Sequence, residues 1–209
     1  MIMRVLRGAI NFLRRLCGGK NLLAIQQDRD QWDRQYARGA WNFLRDGERQ
    51  RHLAVIRRFI KERLAEQGTL KVLDVGCGNG AIAAICRDLG DDIIYTGIDF
   101  SSEAIFAARQ VYPGGAFVIG DAVNPPVFPH SFDVMVFAEV LYYVSIATVA
   151  QVYRTAAAPD GVVIVSMLDM WRTPFIWLLL RRYVHACETV RIRAHSGRNS
   201  WTIKIGRFL

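Results

Sequence analysis

The run Val72-Leu73-Asp74-Val75-Gly76-Cys77-Gly78-Asn79-Gly80 passes from apolar residues into a glycine-rich turn. Glycines let a backbone pass close to a ligand, and a helix starting after such a turn offers free N–H groups. Turns at this position hold nucleotide cofactors. The spacing is G-x-G-x-G, not the G-x-G-x-x-G of dinucleotide binding. Asp74 precedes the turn. A carboxylate there repels a pyrophosphate and suits a cationic ligand. Asp99 lies 19 residues after Gly80, within Gly97-Ile98-Asp99-Phe100-Ser101. A carboxylate at the end of the next strand meets ribose hydroxyls. Phe100 is placed to cover an adenine face, and Asp121 of Ile119-Gly120-Asp121-Ala122 to accept from an adenine amino group. A fourth run, residues 131–139, delivers Glu139 to the same end.

These groups need a scaffold that gathers strand ends along one edge. From residue 70 the chain alternates. Residues 70–75, 93–98, 116–119, 133–137 and 162–167 are strand-like, while 80–89, 101–110 and 146–157 have helical character. Ser101 or Ser102 caps the second of these helices, and Pro159-Asp160-Gly161 reads as a turn. This alternation predicts an α/β fold, a doubly wound parallel sheet covered by helices. Residues 189–194 and 201–208 flank Ser196-Gly197-Arg198-Asn199-Ser200 as a hairpin, so the sheet is expected to finish with an antiparallel strand. Upstream, residues 48–67 place Leu53, Val55, Ile56, Phe59, Ile60 and Leu64 at helical spacing, with Gly68 as C-cap.

The 209 residues are 52% hydrophobic and 22% charged, which suits one folded core and excludes a disordered chain. Cys17, Cys77, Cys86 and Cys187 form no C-x-x-C pair, which argues against a disulfide scaffold or a zinc cluster. A reducing, cytoplasmic setting fits. The net charge of +8 is uneven: +5 in residues 1–20, +7 in 170–209 and −4 between them. A nucleic-acid protein usually spreads its basic residues over a binding face. No apolar run approaches the ~20 residues that span a bilayer. The run 175–180 stops at Arg181-Arg182, and arginines interrupt the N-terminus where a signal peptide would be apolar. Residues 1–16 read as an amphipathic helix, with Arg4, Arg7, Arg14 and Arg15 on one side and Ile2, Leu6, Ile10, Phe12 and Leu13 on the other. That pattern suits an anionic membrane surface or a protein partner.

The L-D-V-G-C-G-x-G run, with acids after the second and third strands, resembles a class I S-adenosylmethionine-dependent methyltransferase over residues 70–167. The resemblance implies a Rossmann-like seven-stranded sheet with its last strand antiparallel. It implies that Gly76, Cys77 and Gly78 face the methionine part of S-adenosylmethionine, that Asp99 holds the ribose, and that Asp121 and Ala122 meet the adenine. Two further motifs are similar to small bacterial methyltransferases: Trp32-Asp33-Arg34-Gln35-Tyr36-Ala37-Arg38-Gly39-Ala40-Trp41 and Glu139-Val140-Leu141-Tyr142-Tyr143. The second also resembles nodulation methyltransferases, which act on an amino sugar of a lipo-oligosaccharide. By that resemblance Trp32 and Tyr36 form a lid over the cofactor.

The resulting expectation has three parts: a basic helix (1–20), an N-terminal helical cap (21–69) and a methyltransferase core (70–209). Glu139, Tyr142 and Tyr143 are the catalytic candidates. Asp74, Gly76, Cys77, Gly78, Asp99, Phe100, Asp121, Ala122, Trp32 and Tyr36 are the cofactor candidates. The expected acceptor is an oxygen or nitrogen of a small molecule or saccharide. The basic amphipathic helix of residues 1–16, with Arg172, Arg181 and Arg182, points to an anionic or membrane-associated acceptor such as a lipid-linked glycan, met at the inner membrane face. Glu139, a tyrosine, Asp169 or His130 is available as base. His130, His185 and His195 are isolated and read as structural. Asn124-Pro125-Pro126-Val127 lacks the aromatic residue and the position of the N-P-P-Y/F/W motif of nucleic-acid amino-methyltransferases, and reads as a loop. The competing readings are a nucleic-acid methyltransferase and a cofactor-binding partner subunit without catalysis.

Overall fold

The computed structural model describes residues 29–41, 51–194, 197 and 199–209. The amphipathic pattern of residues 1–16, Cys17 and His195 lie outside them. In chain order the elements are α1 (Arg29–Ala37), α2 (Arg51–Gln67), β1 (Leu70–Val75), α3 (Ala81–Leu89), β2 (Ile93–Asp99), α4 (Ser102–Val111), β3 (Ala116–Ile119), β4 (Phe132–Ala138), α5 (Ile146–Arg154), β5 (Ala157–Leu168), α6 (Thr173–Leu180), β6 (Val184–Arg193) and β7 (Ser200–Phe208).

The seven strands form one sheet in the order β3-β2-β1-β4-β5-β7-β6. The first five in that order are parallel, and β7 runs antiparallel to both its neighbours. The chain winds outward from β1 through β2 to β3, then returns to place β4 on the other side of β1. That reversal opens a crevice at the carboxyl ends of β1 and β4.

Side-chain alternation along the strands builds two cores. Val72, Val134, Val136 and Ile164 meet Ile56 and Ile60 of α2, Ile82 of α3 and Ile105 of α4 on one face. Leu73, Val75, Met135, Phe137, Val163 and Val165 meet Ile146, Val149 and Tyr153 of α5 and Ile176 of α6 on the other. α2 therefore packs in the core, and of the described residues in 21–69, Trp32 and Tyr36 of α1, Trp41, and His52 and Leu53 of α2 border the crevice. Caps fix where helices begin: the Ser101 hydroxyl accepts from the Ala104 N–H at 3.1 Å, and the Ser145 hydroxyl from the Thr148 N–H at 3.4 Å.

One expectation is revised. Pro159-Asp160-Gly161 is not a turn between elements but an excursion inside β5. Phe132 pairs with Ala157 and Val134 with Val162, so two steps along β4 are matched by five along β5. The strand bulges outward and the ladder resumes on both sides. Residues 175–180, the apolar run that stops at Arg181-Arg182, form most of α6.

α1 is fastened at its start. The Arg29 guanidinium lies 4.7 Å from the centroid of the Phe100 ring. The Asp33 carboxylate accepts the Ser101 hydroxyl, the Ser102 hydroxyl at 3.3 Å and the Glu103 N–H at 3.5 Å. A negative group there also meets the positive end of the α4 dipole. Burial alone raises the Asp33 carboxyl, but the hydrogen bonds from Ser101, Glu103 and Ser102 outweigh it and hold it below the usual value. The stabilisation is present above the unfolded aspartate pKa and is lost as pH falls through the lower folded value. Asp33→Ala is expected to cost about 1 kcal/mol, the usual loss for a helix cap. Amide exchange of residues 29–37 should quicken while exchange in the sheet stays unchanged.

Candidate active site

A cavity of about 420 Å³ opens at the carboxyl ends of β1, β2, β3 and β4, beneath α1. That volume lies in the range of small-molecule sites. Every residue named above as a cofactor or catalytic candidate lines it: Trp32, Tyr36, Asp74, Gly76, Cys77, Gly78, Asp99, Phe100, Asp121, Ala122, Glu139, Tyr142 and Tyr143.

The glycine turn is bound to β2 through its backbone. The Gly76 and Cys77 N–H groups both donate to the Ile98 carbonyl, at 2.8 and 3.0 Å. The Gly78 N–H donates to Asp99 Oδ2 at 2.8 Å, and the Ser101 N–H to Asp99 Oδ1 at 2.9 Å. Each carboxylate oxygen keeps acceptor capacity for a ligand hydroxyl. Gly76 and Gly78 have φ of 73° and 53°. A Cβ on Gly76 would sit 2.6 Å from the Val140 side chain, and one on Gly78 would sit 2.9 Å from the Tyr36 hydroxyl. Both positions require glycine for conformation and for space. The Cys77 side chain turns away into the sheet, against the space above Gly97. Burial pushes its thiol well up.

Asp74 lies deeper. It is 1% exposed, on the same face of β1 as Val72, and its Oδ2 accepts the Tyr95 hydroxyl at 2.8 Å. Burial pushes its carboxyl up to about 7, against the Tyr95 hydrogen bond and with the help of nearby Asp99. Asp99 is raised as well, chiefly by burial. Asp121 stands at the mouth, and its Oδ1 accepts the Val123 N–H at 3.0 Å in a tight turn.

Across the crevice, Glu139 has a φ of 59°, the only positive value at a non-glycine among the described residues. Such conformations persist where the surroundings over-determine them. Its N–H donates to the Ser166 carbonyl at 2.9 Å, and its Oε2 accepts the Leu168 N–H at 3.2 Å. The Tyr142 hydroxyl lies 3.1 Å from Glu139 Oε2 and 3.2 Å from the Leu168 carbonyl, two acceptors for one proton. Burial and the facing Glu139 push the Tyr142 hydroxyl up. Tyr143 is raised by the same two causes, with Arg172 opposing. Neither tyrosine ionises readily enough to act as a base at neutral pH.

The other base candidates are elsewhere. Asp169 accepts the Ser200 and Thr202 hydroxyls, each at 2.7 Å, and pins β7. His130 precedes the start of β4, about 20 Å along the strand from the cavity. Arg172, Arg181 and Arg182 do not line the cavity either, and among the described residues neither does any other arginine or lysine. The wall carries Asp74, Asp99, Asp121 and Glu139 instead. Arg172 comes nearest, acting on Tyr143 from outside the wall.

The roof is aromatic. Trp32 stacks on Trp41 at 5.3 Å between centroids, and its edge meets Tyr143 at 4.9 Å. Tyr36 joins Trp32 at 6.2 Å. Trp41, Asn79, His52, Leu168 and Met170 also line the cavity and were not singled out from the sequence. Trp41 closes the W-D-x-x-Y-A-x-G-x-W motif and Asn79 sits inside the glycine turn, so both had a local signal. His52 stacks on Trp201 at 5.1 Å, a partner that only the fold supplies.

The buried acids make the ligand-free protein pH-sensitive. An unfolded aspartate titrates near 3.9, whereas Asp74 in the fold titrates at about 7. Between those values the folded chain keeps a proton that the unfolded chain has lost. Stability is therefore lost as pH rises through that window. The melting temperature of the ligand-free protein should fall from about pH 5 to about pH 8, and Asp74→Asn should flatten that fall.

Residues 73–165 match the methyltransferase domain family. The chain is 33% identical over 82 residues to a demethylmenaquinone methyltransferase of Thermotoga maritima, covering 39% of this chain and 36% of that one. It is 34% identical over 105 residues to a ubiquinone biosynthesis O-methyltransferase of Thiobacillus denitrificans, covering 47% and 44%. The match thus spans less than half the length of either relative. The N-methyltransferase NodS of Bradyrhizobium japonicum WM9, solved with S-adenosyl-L-homocysteine, superimposes with a TM-score of 0.70 at 18% identity, over 86% of this chain and 97% of that one. The glycine turn, the strand-end acids and the sheet order agree with these matches, and over residues 73–165 the chain is similar to class I S-adenosylmethionine-dependent methyltransferases.

Proposed function

We propose that this chain moves a methyl group from S-adenosylmethionine to a nitrogen or oxygen of a small molecule or saccharide. The observation that carries this reading is the cavity floor, where three strand-end aspartates surround a turn that has no room for a side chain at Gly76 or Gly78. That donor set fits the cofactor. With S-adenosylmethionine bound, Asp99 would take the ribose hydroxyls, Asp121 and Ala122 would meet the adenine, and buried Asp74 would favour the cationic amino-acid end.

S-Adenosylmethionine supplies a methyl group already made electrophilic by its sulfonium. The chain has to align the acceptor and exclude water. Trp32, Tyr36, Trp41 and Tyr143 do both, closing the cavity with flat apolar surface. Glu139 is the carboxylate at the β4–β5 end, held by Leu168 and Tyr142, and it is the group positioned to take a proton from the acceptor. A wall of acids and aromatic rings, without lysine or arginine among the described residues, favours an amine over an anionic acceptor. The likeness to an N-methyltransferase is consistent with that preference.

The first measurement is calorimetry with S-adenosylhomocysteine. The wild type should bind, and Asp99→Ala should weaken binding about 10- to 100-fold, the value of hydrogen bonds to a charged group. A folded wild type that fails to bind removes the reading. The second is transfer of labelled methyl to amino sugars, neutral sugars and phosphorylated sugars. Amines should accept and phosphorylated sugars should not, with Glu139→Gln lowering kcat more than it changes KM. Transfer confined to RNA would reject the small-molecule part.

A further inference from the structure

α6 is apolar on both sides. Thr173, Ile176 and Leu180 are buried in the core. Trp171, in the turn before the helix, and Phe175 and Leu178 within it follow at spacings of four and three, and are 74%, 37% and 61% exposed. That spacing places them on one side of the segment. Exposed apolar patches of this kind mark interaction sites.

The border of the patch is cationic. Arg181 and Arg182 follow the helix and are exposed. The Arg172 guanidinium lies 5.3 Å from the Trp171 ring centroid, and the Lys204 ammonium 4.8 Å from that of Trp177. Lys204 is lowered by its partial burial and by Arg181 and Arg191, a sign of how densely positive charge gathers there. Glu188, the one acid in residues 170–209, is engaged by Arg58 at 3.0 Å. No helix among the described residues is long and apolar enough to cross a membrane. Tryptophan, phenylalanine and leucine bordered by arginines match the headgroup layer of an anionic bilayer, where rings enter the interface and guanidiniums meet phosphates.

We propose that the Trp171–Phe175–Leu178 face of α6 docks on an anionic phospholipid bilayer. Charge selects this occupant. Residues 1–16 carry Arg4, Arg7, Arg14 and Arg15 and no acid, so the arginine border repels them while an anionic bilayer attracts both. A second copy of the chain would set the same arginines against each other. The face is also fixed to the cavity. The Thr173 hydroxyl donates to the Leu168 carbonyl at 2.8 Å and accepts from the Met170 N–H at 3.0 Å, and Leu168 and Met170 line the cavity. Docking brings that wall to the membrane surface, within reach of an acceptor held there by a lipid anchor. The docking stands independently of the reaction proposed above.

The test floats the full-length protein with phosphatidylglycerol vesicles and with phosphatidylcholine vesicles. The wild type should bind only the former, and less as salt rises. Trp171→Ala with Leu178→Ala, and separately Arg181→Glu with Arg182→Glu, should each weaken binding about tenfold or more. Melting curves and unchanged S-adenosylhomocysteine affinity would show both variants folded. Three results would overturn the proposal: no binding by the wild type, variants that bind as the wild type does, or a dimer in sedimentation that the variants dissociate. Vesicle binding is read without methyl transfer, so failure here and failure of the reaction remain distinguishable.

Discussion

The Asp99 carboxylate is the joint on which the site is built. It takes the Gly78 N–H on one oxygen and the Ser101 N–H on the other. The Ser101 hydroxyl donates in turn to Asp33 and receives the Ala104 N–H. One run of hydrogen bonds thus passes from the glycine turn, through the end of β2 and the start of α4, to the helix that roofs the cavity. The floor and the roof share a fixed point, so the geometry of one depends on the other. A ligand hydroxyl at Asp99 would join a network that is already oriented, which limits the ordering lost on binding.

Among the described residues the cavity wall is acidic. The four acids of the wall are gathered by parallel strands that all end at one edge. Arg172, Arg181 and Arg182, which look in the sequence like acceptor ligands, stand at the two ends of α6. Net charge alone says nothing about which side of a wall a residue occupies. Among the described residues the cavity wall carries four acids and no lysine or arginine.

The turn residues and strand-end acids were legible because each is a local signal. An apolar run predicts a strand, its end is visible in the sequence, and parallel winding brings those ends together. Ser101 as a cap and β7 as an antiparallel strand are legible for similar reasons. His52 and Leu168 reach the cavity through packing between distant elements, and no spacing announces that. α6 is apolar all round, so it lacks the periodicity that marks a surface helix. Pro159-Asp160-Gly161 has strong turn preference, yet Phe132 and Val134 hold β5 on both sides of it, and the sheet absorbs the turn as a bulge. Asp33 sits in a motif whose aromatics draw attention, while its own role depends on α4, some seventy residues later.

The placement of β7 carries a consequence for how the chain assembles. β7 is the last strand in chain order, yet it lies between β5 and β6. During vectorial synthesis β6 emerges with no partner to pair with, and the outer edge of β5 stays open until β7 arrives. The nascent chain therefore exposes two unsatisfied ladders, one of them bearing the apolar residues Val163 and Val165. Completion of the sheet is a long-range closure that follows all the local ones.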